Sequence, residues 1–113
     1  MKIKYLIVAV LLSLGLSSPA SAEEEVVING STTVLPVMQK IAEDFMAINP
    51  DVDLVLSGGG SGNGIKALTD GLCQVAMSSR DIKPNELELA KSKGINPVRT
   101  AIAVDALLPV VHP

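Results

Sequence analysis

Glu25-Val26-Val27-Ile28-Asn29-Gly30-Ser31-Thr32-Thr33-Val34-Leu35-Pro36 decides how the whole chain is read. A short apolar run stops at Asn-Gly, the pattern of a buried strand entering a tight turn. Beyond it Val34, Val37, Met38, Ile41, Phe45 and Ile48 recur at helical spacing, with Gln39, Lys40, Glu43 and Asp44 opposite. Pro36 suits the first helical turn, where a missing N–H leaves no bond unmade. Asn49-Pro50 ends the helix.

The same unit then repeats. Val52 to Leu56 reads as a second strand, followed by the glycine-dense loop Ser57-Gly58-Gly59-Gly60-Ser61-Gly62-Asn63-Gly64 and weakly helical Ile65 to Thr69. Cys73 to Met77 reads as a third strand leading into Ser78-Ser79-Arg80-Asp81. Pro84 opens a further helix with Glu86 and Glu88 early, Lys91 and Lys93 late, and Gly94 as its stop, an order that suits the helix dipole. Val98 to Val104 and Leu107 to Val111 read as more strand material.

Three strand-to-helix units in succession predict an α/β fold, a mostly parallel sheet flanked by helices, with ligands outside the carboxyl ends of the strands. All three polar clusters, Gly30 to Thr33, Ser57 to Asn63 and Ser78 to Asp81, follow strands and are expected to converge. Glycine and hydroxyl residues ahead of helices offer free N–H groups, O–H donors and the positive dipole end. A tetrahedral oxyanion needs such donors around it, and glycine lets main-chain N–H groups come close. Arg80 adds a planar two-pronged donor. Each cluster alone also has a plain structural reading: an N-cap for Ser31 to Thr33, a flexible connector for the glycines, a solvated or salt-bridged charge for Arg80. Their coincidence at one sheet edge is what favours the anion.

Catalytic patterns fail. Lys66 follows Ile65 rather than the Gly-Lys-Ser/Thr order of a Walker loop. Gly59-Gly60-Ser61-Gly62-Asn63 ends in Asn where a nucleophile elbow needs Gly. Gly62-Asn63-Gly64-Ile65-Lys66-Ala67 fits a loose dinucleotide pattern, but the acidic residues about 20 positions on fall in a helix. His112 is penultimate, a poor place for an ordered base.

Composition narrows the classes further. Nine basic against 12 acidic groups give a mildly acidic chain, and one Tyr, one Phe and no Trp cannot build stacking platforms, so no nucleic-acid partner is expected. One Cys and one His exclude a disulfide framework and a His/Cys metal cage; no metal or other cofactor is expected. Cys73, with nothing basic beside it, reads as a buried inert thiol. At the N-terminus two lysines precede the apolar run Leu6 to Leu12, Ser17-Ser18-Pro19 breaks it, and Ala20-Ser21-Ala22 supplies a small-residue cleavage site. Residues 1–22 therefore read as a cleaved secretory signal, since Leu6 to Leu16 is shorter than the about 20 residues a bilayer crossing takes. Residues 23–113 form the mature part, destined for an exported compartment such as the bacterial periplasm, with no cysteine at the cleavage site for a lipid.

Three stretches together resemble a known family: Asn29-Gly30-Ser31-Thr32-Thr33-Val34-Leu35-Pro36, then Ser57 to Lys66 through the glycine loop, then Ala76-Met77-Ser78-Ser79-Arg80. In that order and spacing they resemble the PstS-like phosphate-binding proteins of bacterial ABC importers. The resemblance implies a periplasmic binding protein of two α/β lobes that captures inorganic phosphate for a membrane permease with its ATPase, a monomer when complete and not an enzyme. Carried over by position, it implies phosphate contacts from the Thr32 hydroxyl, the Thr33 main-chain N–H and Ser61. Several members have an Asp after the third strand that accepts the proton of hydrogen phosphate. The matching position here is Ser79, so strict phosphate selectivity does not carry over and Arg80 is expected to contribute donors instead. The chain stops at Pro113, where Ala106 to Val111 resembles the strand entering the hinge, implying a first-lobe fragment with the second lobe missing. A secreted adhesion or scaffold protein reusing the lobe, or a binder of sulfate or molybdate, is the alternative.

Overall fold

Glu24–Gly30 is the central strand, β1, of a three-stranded parallel sheet in a computed structural model that describes residues 24–110. Val52–Gly58 forms β2 on one side and Val75–Met77 forms β3 on the other, giving the order β2-β1-β3. Ile28 is buried, in register with Leu56 of β2 and Val75 of β3. All three strands thus end together near Gly30, Gly58 and Met77. The fold class is the one the alternating pattern predicts.

Helix α1, Leu35–Ile48, links β1 to β2 and packs along β2. Its first helical bond runs from Leu35 N–H to Ser31 O (3.1 Å), and Asn49 closes it by donating from both its main-chain and side-chain nitrogens to Phe45 O. Ala42 is its buried residue, whereas Val37, Ile41 and Phe45 are nearly half exposed. The apolar stripe is therefore only partly covered, because a three-stranded sheet is too narrow to cover so wide a helix face.

Helix α2, Ser61–Thr69, packs on β1 and β3, and helix α3, Pro84–Ser92, packs on α2. The core is correspondingly small: Ile28, Ala42, Ile65, Cys73, Met77 and Ala90. Cys73 is buried as expected, and burial pushes its thiol pKa up, which suits an inert group.

Three sequence expectations change. α2 begins at Ser61, not Ile65: Gly60, at φ 93°, turns the chain so that half of the glycine loop becomes the first helical turn. β3 begins at Val75, not Cys73, because Cys73 turns into the core. Gln74 instead meets β1 by donating its N–H to Val27 O (3.0 Å) and accepting Val27 N–H on its side-chain oxygen (2.8 Å). Residues 95–110 form no strand, and Val98 and Val104 are 90 % and 100 % exposed. β propensity without a neighbouring strand to pair with leaves the ladder bonds unmade. Val111, His112 and the proposed signal at 1–22 lie outside the described residues.

Asp70, just past α2, binds Lys66 on its own helix and Lys93 beyond α3 (2.6 Å), tying the two helix ends together. Hydrogen bonds from the Lys66 and Lys93 ammonium groups lower the Asp70 pKa from 3.8 to about 2. A carboxylate depressed on folding stabilises the folded chain above its unfolded pKa and loses that contribution as pH falls toward the folded value. Between about pH 4 and pH 2 the thermal midpoint is therefore expected to fall less in Asp70→Asn than in the wild type. Parallel curves from the two proteins would show that the Asp70 cluster adds no pH dependence.

Candidate functional site

The site is assembled by the turns that leave the three strand ends. Ser31 N–H donates to Met77 O (2.9 Å), fastening the first turn to β3. Gly30 O accepts the N–H groups of Gly59 and Gly60, both at 2.8 Å, which holds the glycine turn against the first. Thr32 sits beside Gly58, where an added Cβ would stand 3.1 Å from the Thr32 methyl carbon. Main-chain bonds therefore set the approach of these turns, and glycine makes it feasible.

Two helices begin here with free donors. The first bond of α2 is Gly64 N–H to Gly60 O (3.1 Å), so the amides of Ser61, Gly62 and Asn63 have no intrahelical acceptor. The amides of Thr32, Thr33 and Val34 stand in the same relation to α1, whose first bond is made by Leu35. Asn63 folds its side-chain amide back onto Gly59 O (2.5 Å), stiffening the glycine turn.

The third turn meets the second through side chains. Ser61 Oγ accepts the Ser79 N–H at 3.1 Å and lies 3.2 Å from Ser79 Oγ. Arg80 Nη2 stands against Gly62, 3.8 Å from where a Cβ there would lie. Thr33, Ser79 and Arg80 line one open cleft of about 800 Å³, with Asp81 at its rim held by Arg99 (2.9 Å). Of the five residues expected from the sequence, Ser61, Ser79 and Arg80 are thus drawn together. Thr33 shares the cleft with Ser79 and Arg80, and Thr32 packs beside Gly58.

Glu86 is the site residue that sequence reading missed. Its carboxylate receives Arg80 Nη1 (2.9 Å) and Nη2 (2.8 Å) as a two-pronged pair, and Lys83 N–H donates to it at 2.8 Å. Arg80 Nη1 also donates to Asp81 O (2.9 Å). With these hydrogen bonds, that from Arg80 first, the Glu86 pKa is lowered from 4.5 to about 2, and the Arg80 pKa is raised. Arg80 and Glu86 are six residues apart across a turn, a spacing with no periodic signal, and Glu86 reads in sequence as an ordinary acidic residue of a first helical turn.

Among the described residues no group of three or more His, Cys, Asp or Glu is placed to hold a metal. Hydroxyl, amide and guanidinium donors therefore lie on the three turns at this sheet edge, with Thr33, Ser79 and Arg80 lining the cleft and Ser61 bonded to Ser79.

A family described as PBP superfamily domain matches residues 17–113. The chain is 36 % identical over 107 residues to protein SphX of Synechococcus elongatus, covering 94 % of this chain and 32 % of that protein. It is 38 % identical over 88 residues to phosphate-binding protein PstS 2 of Streptococcus agalactiae, covering 78 % and 28 %. In structure it is similar to the phosphate-binding protein of a phosphate ABC transporter from Streptococcus pneumoniae TIGR4, with TM-score 0.56, 30 % identity and coverage of 61 % and 27 %. The chain spans about a third or less of the length of the relatives it matches. It belongs to the PBP superfamily and is PstS-like over the stretch it spans.

Proposed function

We propose that this chain supplies the first phosphate-binding surface of an exported solute-binding protein that serves an ABC importer. The single observation that supports it is the fastening of three turns at one sheet edge, by Ser31 to Met77, Gly59 and Gly60 to Gly30, and Ser79 to Ser61. In this reading the free amides at the starts of two helices and the Arg80 guanidinium donate to one anion. Thr32, Thr33, Ser61, Ser79 and Arg80 are the contacts. Phosphate is held by direct donors, so the chain's net negative charge does not oppose it, screening being effective beyond about 8 Å at physiological salt. The partners of such a binding protein are a permease and its ATPase, its compartment is the periplasm and its role is non-catalytic.

In the 113-residue chain the cleft is open, so water competes for every oxygen of the anion. The expected dissociation constant is millimolar, equivalent to about −4 kcal/mol. An amide NMR titration of the chain should shift Thr32, Thr33, Ser61, Gly62 and Ser79 together. Micromolar affinity would show that the open surface is not the binding state, and an absence of shifts at tens of millimolar phosphate would end the proposal. A parallel sulfate titration reads selectivity, which Ser79 in place of a carboxylate is expected to leave weak.

A further inference from the structure

We infer that Glu86 is a positioning residue of the oxyanion site, gripping the terminal nitrogens of Arg80 so that the side-on donor pair of the guanidinium stays free beside the α2 N-terminus; this rests on the phosphate-site reading above. A guanidinium has five N–H hydrogens in a fixed plane and can present them as forks on its end or on its side. Glu86 occupies the end, with 2.9 Å from Nη1 and 2.8 Å from Nη2, and Asp81 O takes the other hydrogen of Nη1. The planar geometry then leaves Nε–H and the second hydrogen of Nη2, which form the side-on fork. Nη2 is the nitrogen that lies against Gly62, next to Ser61 and the unpaired amides of α2.

The grip is itself anchored. Glu86 accepts Lys83 N–H at 2.8 Å at the start of α3, so the carboxylate cannot turn away without uncapping that helix. The Arg80 and Glu86 side chains are 33 % and 21 % exposed, less than the 68–75 % of the solvent-facing Lys40 and Arg99 pairs. A bidentate pair of this kind holds the plane of the guanidinium as well as its position. Arg80 then acts as an oriented donor whose net charge is cancelled.

Positioning and simple charge predict opposite signs for one substitution. Glu86→Gln removes a negative charge near the anion, so charge alone makes phosphate bind tighter. Loss of the grip makes it bind weaker, and glutamine still serves as the cap acceptor for Lys83. In the 113-residue chain, Glu86→Gln is expected to weaken phosphate binding about tenfold by amide NMR titration, a loss of about 1.4 kcal/mol. Its far-UV circular dichroism should stay at the wild-type value. In an Arg80→Lys background, which keeps the charge but not the fork, Glu86→Gln should have no further effect. The Arg80 Nε–H resonance should be sharp and shift with phosphate in the wild type, and broaden in Glu86→Gln.

Unchanged or tighter phosphate binding in Glu86→Gln, or a tenfold loss that persists in the Arg80→Lys background, overturns the positioning role while leaving the phosphate site in place. Absence of any amide shift in the wild type removes the site itself, and the positioning role with it.

Discussion

Gly30→Ala is expected to destabilise the chain by about 3 kcal/mol or more, a severe change for a domain of this size. Gly30 ends β1 at φ 142°, a conformation that L side chains rarely adopt, and an added Cβ would fall on the Met77 carbonyl oxygen. That oxygen accepts Ser31 N–H, and Gly30 itself is paired with Met77 in the ladder. β3 is only three residues long, so pushing its end away removes much of what holds it. Urea unfolding followed by circular dichroism measures the loss. A midpoint within experimental error of the wild type would mean that the approach of β3 to Gly30 is not what holds the turn.

Gly64→Ala should show the second-largest effect, and its sign is the informative part. In an exposed helix interior this change gains about 1 kcal/mol, since alanine favours helix and glycine does not. Here the new Cβ would stand 2.5 Å from both Asn29 O and Gly30 Cα, atoms of the β1 backbone that cannot swing aside. α2 must lift from the sheet, so a loss of about 2 to 3 kcal/mol is expected in place of the gain. The displaced helix would also carry Ser61 away from Ser79, breaking the 3.1 Å bond between the second and third turns. Phosphate shifts at Ser79 should weaken in the same variant. A stabilised Gly64→Ala protein would show that the close contact of helix and strand is not present in solution.

These two glycines mark how far local pattern reaches. Asn29-Gly30 is legible as a turn because an apolar run stops there. Gly64 reads as part of a loop, because its reason for being glycine is a strand distant in sequence. The same distinction separates Ser61 from Ile65 as the start of α2: hydrophobic periodicity begins at Ile65, but the helix begins where Gly60 turns and where Gly59 and Gly60 find Gly30 O. Val98 to Val104 has the composition of a strand, yet a strand exists only when another strand offers its edge.

The site divides in the same way. Hydroxyl and glycine clusters after each strand were visible from alternation alone, and parallel topology then requires them at one edge. Glu86 was not visible, because its bond to Arg80 spans a turn whose path no spacing rule gives.

Sequence alone determined the order of the three strands and three helices up to Ser92, the parallel sheet and the three turns that bear donors, because these follow from short-range periodicity and from turn chemistry within a few residues. Tertiary structure alone decided that the Arg80 fork is held by Glu86, that Ser61 meets Ser79, and that Gly30 and Gly64 can carry no side chain. Each of those depends on atoms brought within about 3 Å of one another from separate segments, a distance that the folded chain sets and that no local propensity encodes.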